Sequence, residues 1–107
     1  MQNNVGLSSD NGNVKPGKPA EYVLRLFITG ATPNSLRAVS NIKQICETHL
    51  KGRYSLEIID VYQQKIMASR EQLIALPLLV KKNPLPERRL IGDLSDIQKV
   101  LTVLSIL

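Results

Sequence analysis

Apolar and polar residues follow one another along this chain in runs that predict strands alternating with helices. Residues 22–29, YVLRLFIT, are apolar apart from Arg25, which is typical of a central strand covered on both faces. After Gly30, Thr32 or Asn34 can cap a helix, and Pro33 suits its first turn. The helix is predicted to end near Gly52, and its apolar residues recur at steps of three and four: Leu36, Val39, Ile42, Ile45, Cys46 and Leu50.

The second half of the chain repeats this alternation less regularly. A second strand is predicted over residues 54–62, and its connection to the first through one long helix predicts a parallel, right-handed unit. A weaker helical pattern over 63–75 precedes strands at 76–82 and 88–93, and the short turn between those strands calls for an antiparallel hairpin. The closing residues predict a helix capped by Ser95 or Asp93, with an apolar face of Ile97, Val100, Leu101 and Leu104.

The predicted order is therefore βαβαββα, an α/β fold with a four-stranded mixed sheet, which is the thioredoxin-like layout. The final segment, VLTVLSIL, is dense in β-branched residues that suit strands as well as helices, so local preference leaves its structure open.

The folded domain is predicted to span residues 21–107. Residues 1–20 hold few large apolar side chains and are predicted to be a disordered leader. The longest apolar run, at residues 73–80, is far shorter than the ~20 residues of a membrane helix, so we expect a cytoplasmic protein that does not bind membranes. Cys46 is the sole cysteine, which excludes an intrachain disulfide, and the net charge of +5 permits acidic partners without selecting one.

The turn at residues 30–35 lies where thioredoxin-like proteins carry redox cysteines. It offers hydroxyl and amide groups but no sulfur, and Cys46 lies about three turns further along the helix, where a buried structural role is the better interpretation. A phosphate loop is also unsupported, because Gly30 stands without a second glycine or a Gly-Lys-Ser/Thr sequence. The helix N-terminus remains a weaker candidate for binding an anion.

Other catalytic or metal sites find little support. His49 is the only histidine, which excludes a histidine-rich metal site, and no spacing supports a hydrolytic triad around it. Asp60, at the end of the second strand, is better explained as a capping or hydrogen-bonding residue. We therefore predict no catalytic residue, no metal and no cofactor.

The hairpin at residues 81–89, KKNPLPERR, is the densest charge cluster of the chain. One interpretation is a solvated hairpin tip; the functional one is a basic edge that docks on an acidic protein surface, aided by Arg37 on the first helix. Nucleic acid is the weaker candidate partner, because Tyr62 is the only nearby aromatic residue and no stacking platform is visible. Pro77, which opens the third strand, is expected to follow a cis peptide bond and to shape a binding surface or a switch.

Four stretches of the sequence closely resemble the KaiB family of cyanobacterial clock proteins: residues 22–39, 52–61, 75–96 and 99–104. The run LPERRLIGDLSD and the turn TPNS are specific to that family. The resemblance implies a non-enzymatic protein that docks on a KaiC-type hexameric ATPase, with a KaiA-like protein or a SasA-type kinase as further clock partners. The family residues near partner surfaces correspond by position to Arg37, Lys81, Lys82, Arg88 and Arg89.

The resemblance also implies two folds. The family has a thioredoxin-like binding form and a resting form, βαββααβ, that assembles into dimers or tetramers. The refolding region holds Pro77, Gly92, Asp93, Val103 and Ser105. Family members usually carry glycine and aspartate where this chain has Val103 and Ser105, and loss of a helical glycine is expected to favour the thioredoxin-like form. The alternative function is a thiol oxidoreductase relative acting through Cys46.

Overall fold

The computed structural model describes residues 20–64 and 76–106. Six elements follow one another in these ranges: β1 (Tyr22–Ile28), α1 (Pro33–His49), β2 (Tyr54–Asp60), β3 (Leu78–Asn83), β4 (Arg88–Ile91) and α2 (Ile97–Val103). The predicted leader and most of the predicted helix at 63–75 lie outside the described residues.

The four strands form one mixed sheet in the order β2-β1-β3-β4. β1 pairs in parallel with β2, with Tyr22 opposite Tyr54 and Ile28 opposite Asp60. It pairs antiparallel with β3 on its other side, and β3 in turn pairs antiparallel with β4. The predictions of a central first strand, a parallel βαβ unit and an antiparallel hairpin are confirmed.

The first helix begins where the sequence indicates and ends slightly earlier. Thr32 is its N-cap, Pro33 opens its first turn, and it ends at His49. Gly52, with φ +79°, lies in the turn that follows. The prediction that Leu36 belongs to the apolar face is wrong: Leu36 is 56% exposed, because the buried stripe starts at Ser35, about 100° around the helix from it.

Two apolar clusters cover the two faces of the sheet. The larger one joins inward residues of β1, β2 and β3 to α1 and α2, and it includes Leu24, Leu26, Ile42, Cys46, Leu56, Leu79, Val100 and Leu104. The smaller one, on the opposite face, holds Phe27, Ile59, Leu78 and Val80. β1 is therefore covered on one face by the larger cluster, whereas on the other face Phe27 is buried and Val23 and Arg25 are only partly buried.

The last helix has its cap at Asp96, which accepts a hydrogen bond from the Lys99 N–H, so the prediction of Ser95 or Asp93 as the cap is wrong. The prediction that Ile97 faces the core is wrong, because it lies in the first turn and is 53% exposed. Val100, Leu101 and Leu104 are buried as predicted. The ambivalent segment thus begins as helix, and none of the helices described at residues 20–64 and 76–106 is long and apolar enough to cross a membrane.

Candidate docking surface

The turn between β1 and α1 forms a closed hydrogen-bond network. The Ser35 hydroxyl accepts from the Thr29 N–H at 3.2 Å and from the Thr32 hydroxyl at 2.9 Å. Thr32 in turn accepts from the Ser35 N–H at 3.3 Å. Gly30 has φ +58°, a value that favours glycine, and its backbone closes the turn beside Asp60. The polar groups of this turn therefore serve to hold the start of α1.

Cys46 has none of the properties of a redox thiol. It is fully buried on the core side of α1, eleven positions beyond Ser35. Burial, assisted by the charge of Glu47, raises the pKa of its thiol to about 12. A reactive cysteine needs an accessible thiol with a lowered pKa, so the predicted structural role is the one that the geometry fits.

The hairpin between β3 and β4 presents the exposed charges. Glu87 lies between two cations: its carboxylate is 3.5 Å from Lys82 Nζ and 3.8 Å from Arg89 Nε. Arg88 is exposed, and within residues 20–64 and 76–106 no ion pair to it is found. We call Lys82, Arg88 and Arg89 the basic hairpin. Leu85, at the tip, adds a 78% exposed apolar side chain.

Lys81 is not part of that surface in this structure. Its side chain points to the face that carries the helices and is fully buried. Its Nζ donates to the Ser105 hydroxyl at 3.2 Å, just beyond the end of α2. Burial, together with the positive charge of Arg88, lowers the pKa of Lys81. The sequence offers a weak signal for this burial, because Lys81 lies two positions after Leu79 on β3 and therefore on the same face of the sheet.

Arg37 lies at the opposite end of β4 from Arg88. Its Nε is 3.1 Å from Asp93 Oδ2, and it also bonds the side chain of Asn34. Asp93 accepts from the Ser95 N–H, and its backbone carbonyl accepts from Asn41. Hydrogen bonds from Ser95, and then from Arg37, lower the pKa of Asp93. The structure therefore joins Arg37 to Asp93 and separates it from the basic hairpin by the length of β4.

The other residues assigned to the refolding region lie between the smaller apolar cluster and the end of α2. Pro77 is buried and follows a cis peptide bond, as predicted. Gly92 has φ +121°, a backbone conformation that residues with a side chain rarely adopt. Val103 is the last residue of α2, and Ser105, two residues later, has φ +62°.

The sequence pattern does not predict that some large apolar side chains are exposed. Tyr62 is 67% exposed beside the end of β2, and Ile91 is 51% exposed at the end of β4. Alternation along β4 is too short a signal to separate Ile91 from the half-buried Leu90.

The fold and the turn define a thioredoxin-like domain without the cysteines of a redox site. Solved structures with this fold include the N-terminal domain of Synechococcus elongatus SasA, at a TM-score of 0.65 and 26% identity, and the thioredoxin Deadhead of Drosophila melanogaster, at 0.66 and 15%. The SasA match covers 85% of this chain and 90% of that domain, whereas the Deadhead match covers 81% of each.

The chain belongs to the KaiB family. The KaiB domain model matches residues 25–106. The circadian clock oscillator protein KaiB of Prochlorococcus marinus subsp. pastoris is 48% identical over 86 residues, which cover 80% of each chain. The resemblance read from the four sequence stretches is thus confirmed.

Proposed function

We propose that this protein is a non-enzymatic clock regulator that docks on a KaiC-type hexameric ATPase through the basic hairpin. The observation that carries the proposal is Arg88: an exposed guanidinium on a KaiB-family domain, without an ion-pair partner among the described residues. An acidic protein face would supply carboxylates as ion-pair partners for Arg88. Arginine is suited to this because its planar group binds carboxylates in a bidentate manner.

The contributions of the neighbouring cations differ. Lys82 and Arg89 share Glu87, so a partner carboxylate competes with an existing ion pair there. Arg37 is engaged with Asp93 at the other end of β4, and a partner reaching both ends has to span that strand. We therefore propose Arg88 as the principal contact, with Lys82 and Arg89 as auxiliary ones and Arg37 as a separate, peripheral contact.

The experiment is a size-exclusion and pull-down assay with the KaiC-like ATPase of the same organism, with ATP or ADP present. Arg88→Ala is expected to weaken the complex. Lys51→Ala is the matched control, since it removes one positive charge from the turn before β2, at the other edge of the sheet. Equal binding by all three proteins would move the interface away from the basic hairpin.

We further propose that the thioredoxin-like form is the one favoured by this chain, with a KaiA-like protein and a SasA-type kinase as other partners. Val103 stands in the last turn of α2, where a glycine would cost roughly 1 kcal/mol of helix stability relative to alanine, although the branching of valine itself gives back part of that gain. Resting-state dimers or tetramers are then expected to be minor species. Sedimentation over a range of concentrations tests this, and a dominant tetramer would contradict it.

A further inference from the structure

The outer edge of β4 offers backbone groups to a partner. β4 is the last strand of the sheet, and among the described residues only β3 pairs with it. The Gly92 N–H donates to the Pro77 carbonyl on β3 at 3.0 Å. In an antiparallel strand, the N–H and C=O of one residue point to the same side, and those of the next residue point to the other side. Because Gly92 faces β3, the N–H and C=O of Ile91 both point away from it.

An apolar cavity lies beside this edge. It has a volume of about 160 Å³ and is lined by Leu78, Arg89, Leu90 and Ile91. Its size is comparable to the ~150 Å³ cavities that accept a benzene molecule. The side chain of Ile91 is half exposed next to the buried Leu78, with which it pairs across the two strands. An aliphatic side chain on an added strand would fill this space and cover Ile91.

The charges of β4 select the kind of strand that fits. Arg88 and Arg89 are consecutive, so their side chains lie on opposite faces of the sheet and flank an incoming strand on both sides. Such a strand would be stabilised by carboxylates on both faces. Pairing with the β4 of a second copy would instead bring four guanidinium groups together, and like charges across strands are destabilising.

We propose that the outer edge of β4 binds an extended, acidic segment of a partner protein as a fifth strand, paired through the backbone of Ile91 with one aliphatic side chain in the adjacent cavity. This deepens the proposed docking and rests on it for the identity of the partner. Strand addition of this kind takes affinity from the main chain and specificity from side-chain pockets.

The first test uses a synthetic peptide of about ten residues, with a central valine flanked by threonines and glutamates. Bound to the full chain, it is expected to slow hydrogen exchange at the Ile91 amide. Ile91→Pro removes the outward N–H at a position where an edge strand tolerates proline, and it should weaken binding about tenfold. Ile91→Ala keeps the N–H and isolates the contribution of the side chain.

Two control peptides complete this test. Replacing the glutamates with lysines should abolish binding, and placing proline at the centre should do the same. The proposal is overturned if the acidic peptide does not bind, if the Ile91 amide exchanges at its original rate, or if the lysine peptide binds equally well. The exchange measurement is made on the unaltered chain, so it stands even if Ile91→Pro does not fold.

The second test separates this contact from the docking itself. The KaiC-like ATPase is titrated against the unaltered chain, Ile91→Pro and Ile91→Ala. If the ATPase binds all three with equal affinity, docking stands and strand addition is overturned as its mode. If the ATPase binds none of them while the acidic peptide protects the Ile91 amide, the strand-binding edge stands and the proposed partner is wrong.

Discussion

The contact between Lys81 and Ser105 joins the sheet to the end of the last helix, and replacing Ser105 tests its strength. The helix ends in a Schellman motif: the Ile106 N–H donates to the Leu101 carbonyl and the Ser105 N–H to the Thr102 carbonyl, both at 3.0 Å. Ser105 holds the left-handed position of this motif, with φ +62°, where glycine is usual. Its hydroxyl also accepts the hydrogen bond of the buried Lys81 ammonium.

Two effects therefore act at Ser105 in opposite directions. Removing the acceptor of a charged hydrogen bond costs about 1.5–3 kcal/mol, and we take the lower end because Ser105 is exposed and water can replace part of the bond. The left-handed conformation costs a residue with a β-carbon roughly 1 kcal/mol. Ser105→Ala should thus lower the free energy of unfolding by about 1.5 kcal/mol, and Ser105→Gly by only about 0.5 kcal/mol.

Urea unfolding followed by circular dichroism measures these differences, provided that the slope m is unchanged. Repeating Ser105→Ala in a Lys81→Met background closes a double-mutant cycle, in which the cost of Ser105→Ala should fall to a few tenths of a kcal/mol. If Ser105→Ala costs the same in both backgrounds, the hydrogen bond between Lys81 and Ser105 contributes nothing to stability, contrary to this prediction. Ser105→Asp should match or exceed the stability of the original chain at pH 7, because it supplies Lys81 with a charged acceptor.

Three further outcomes follow from the caps and titrating groups. Cys46 should react with a thiol reagent only at the rate of unfolding. Since the pKa of its thiol is about 12 when folded and about 8.5 when unfolded, the free energy of unfolding should fall as pH rises above 8.5. Urea unfolding at pH 7 and 10 measures this loss, which Cys46→Ala should lack. Asp93, with a lowered folded pKa, stabilises the fold above its unfolded pKa and loses that effect as pH falls through the folded value. Asp93→Asn should therefore lower the melting temperature at pH 7, and this difference should shrink as the pH falls below the unfolded pKa of Asp93. Thr32→Ala should cost about 1 kcal/mol in urea unfolding by removing the N-cap of α1, whereas Thr32→Ser should cost little; equal costs would contradict the capping role.

The strands and the long helix can be predicted from the sequence because their patterns extend over many residues. The apolar run of β1 reflects its inner place in the sheet, and the steps of three and four in α1 reflect burial against that sheet, so pattern and structure agree there. The errors fall at the ends of helices, where one turn has no neighbouring element to bury it. Leu36 and Ile97 are apolar residues in first turns, and both are exposed.

The candidate site was predicted less completely, since charge alone does not say which way a side chain points. Lys81 and Lys82 are adjacent in sequence, yet strand alternation buries the first beneath Ser105 and leaves the second beside Glu87. The pairing of Arg37 with Asp93 spans 56 positions of the chain and has no local signal. Conversely, the missing cysteines of the first turn and the buried position of Cys46 were both evident from the sequence.

The most direct test of the proposed function is the affinity of the purified chain for the KaiC-like ATPase ring of the same organism, measured with Arg88→Glu and Lys51→Glu side by side. Both variants change the net charge equally, but only Arg88 lies on the basic hairpin. We expect Arg88→Glu to lose at least tenfold in affinity while Lys51→Glu binds like the original chain, a difference of about 1.4 kcal/mol or more. Equal affinities for the two variants, or no complex with the original chain, would contradict docking through the basic hairpin.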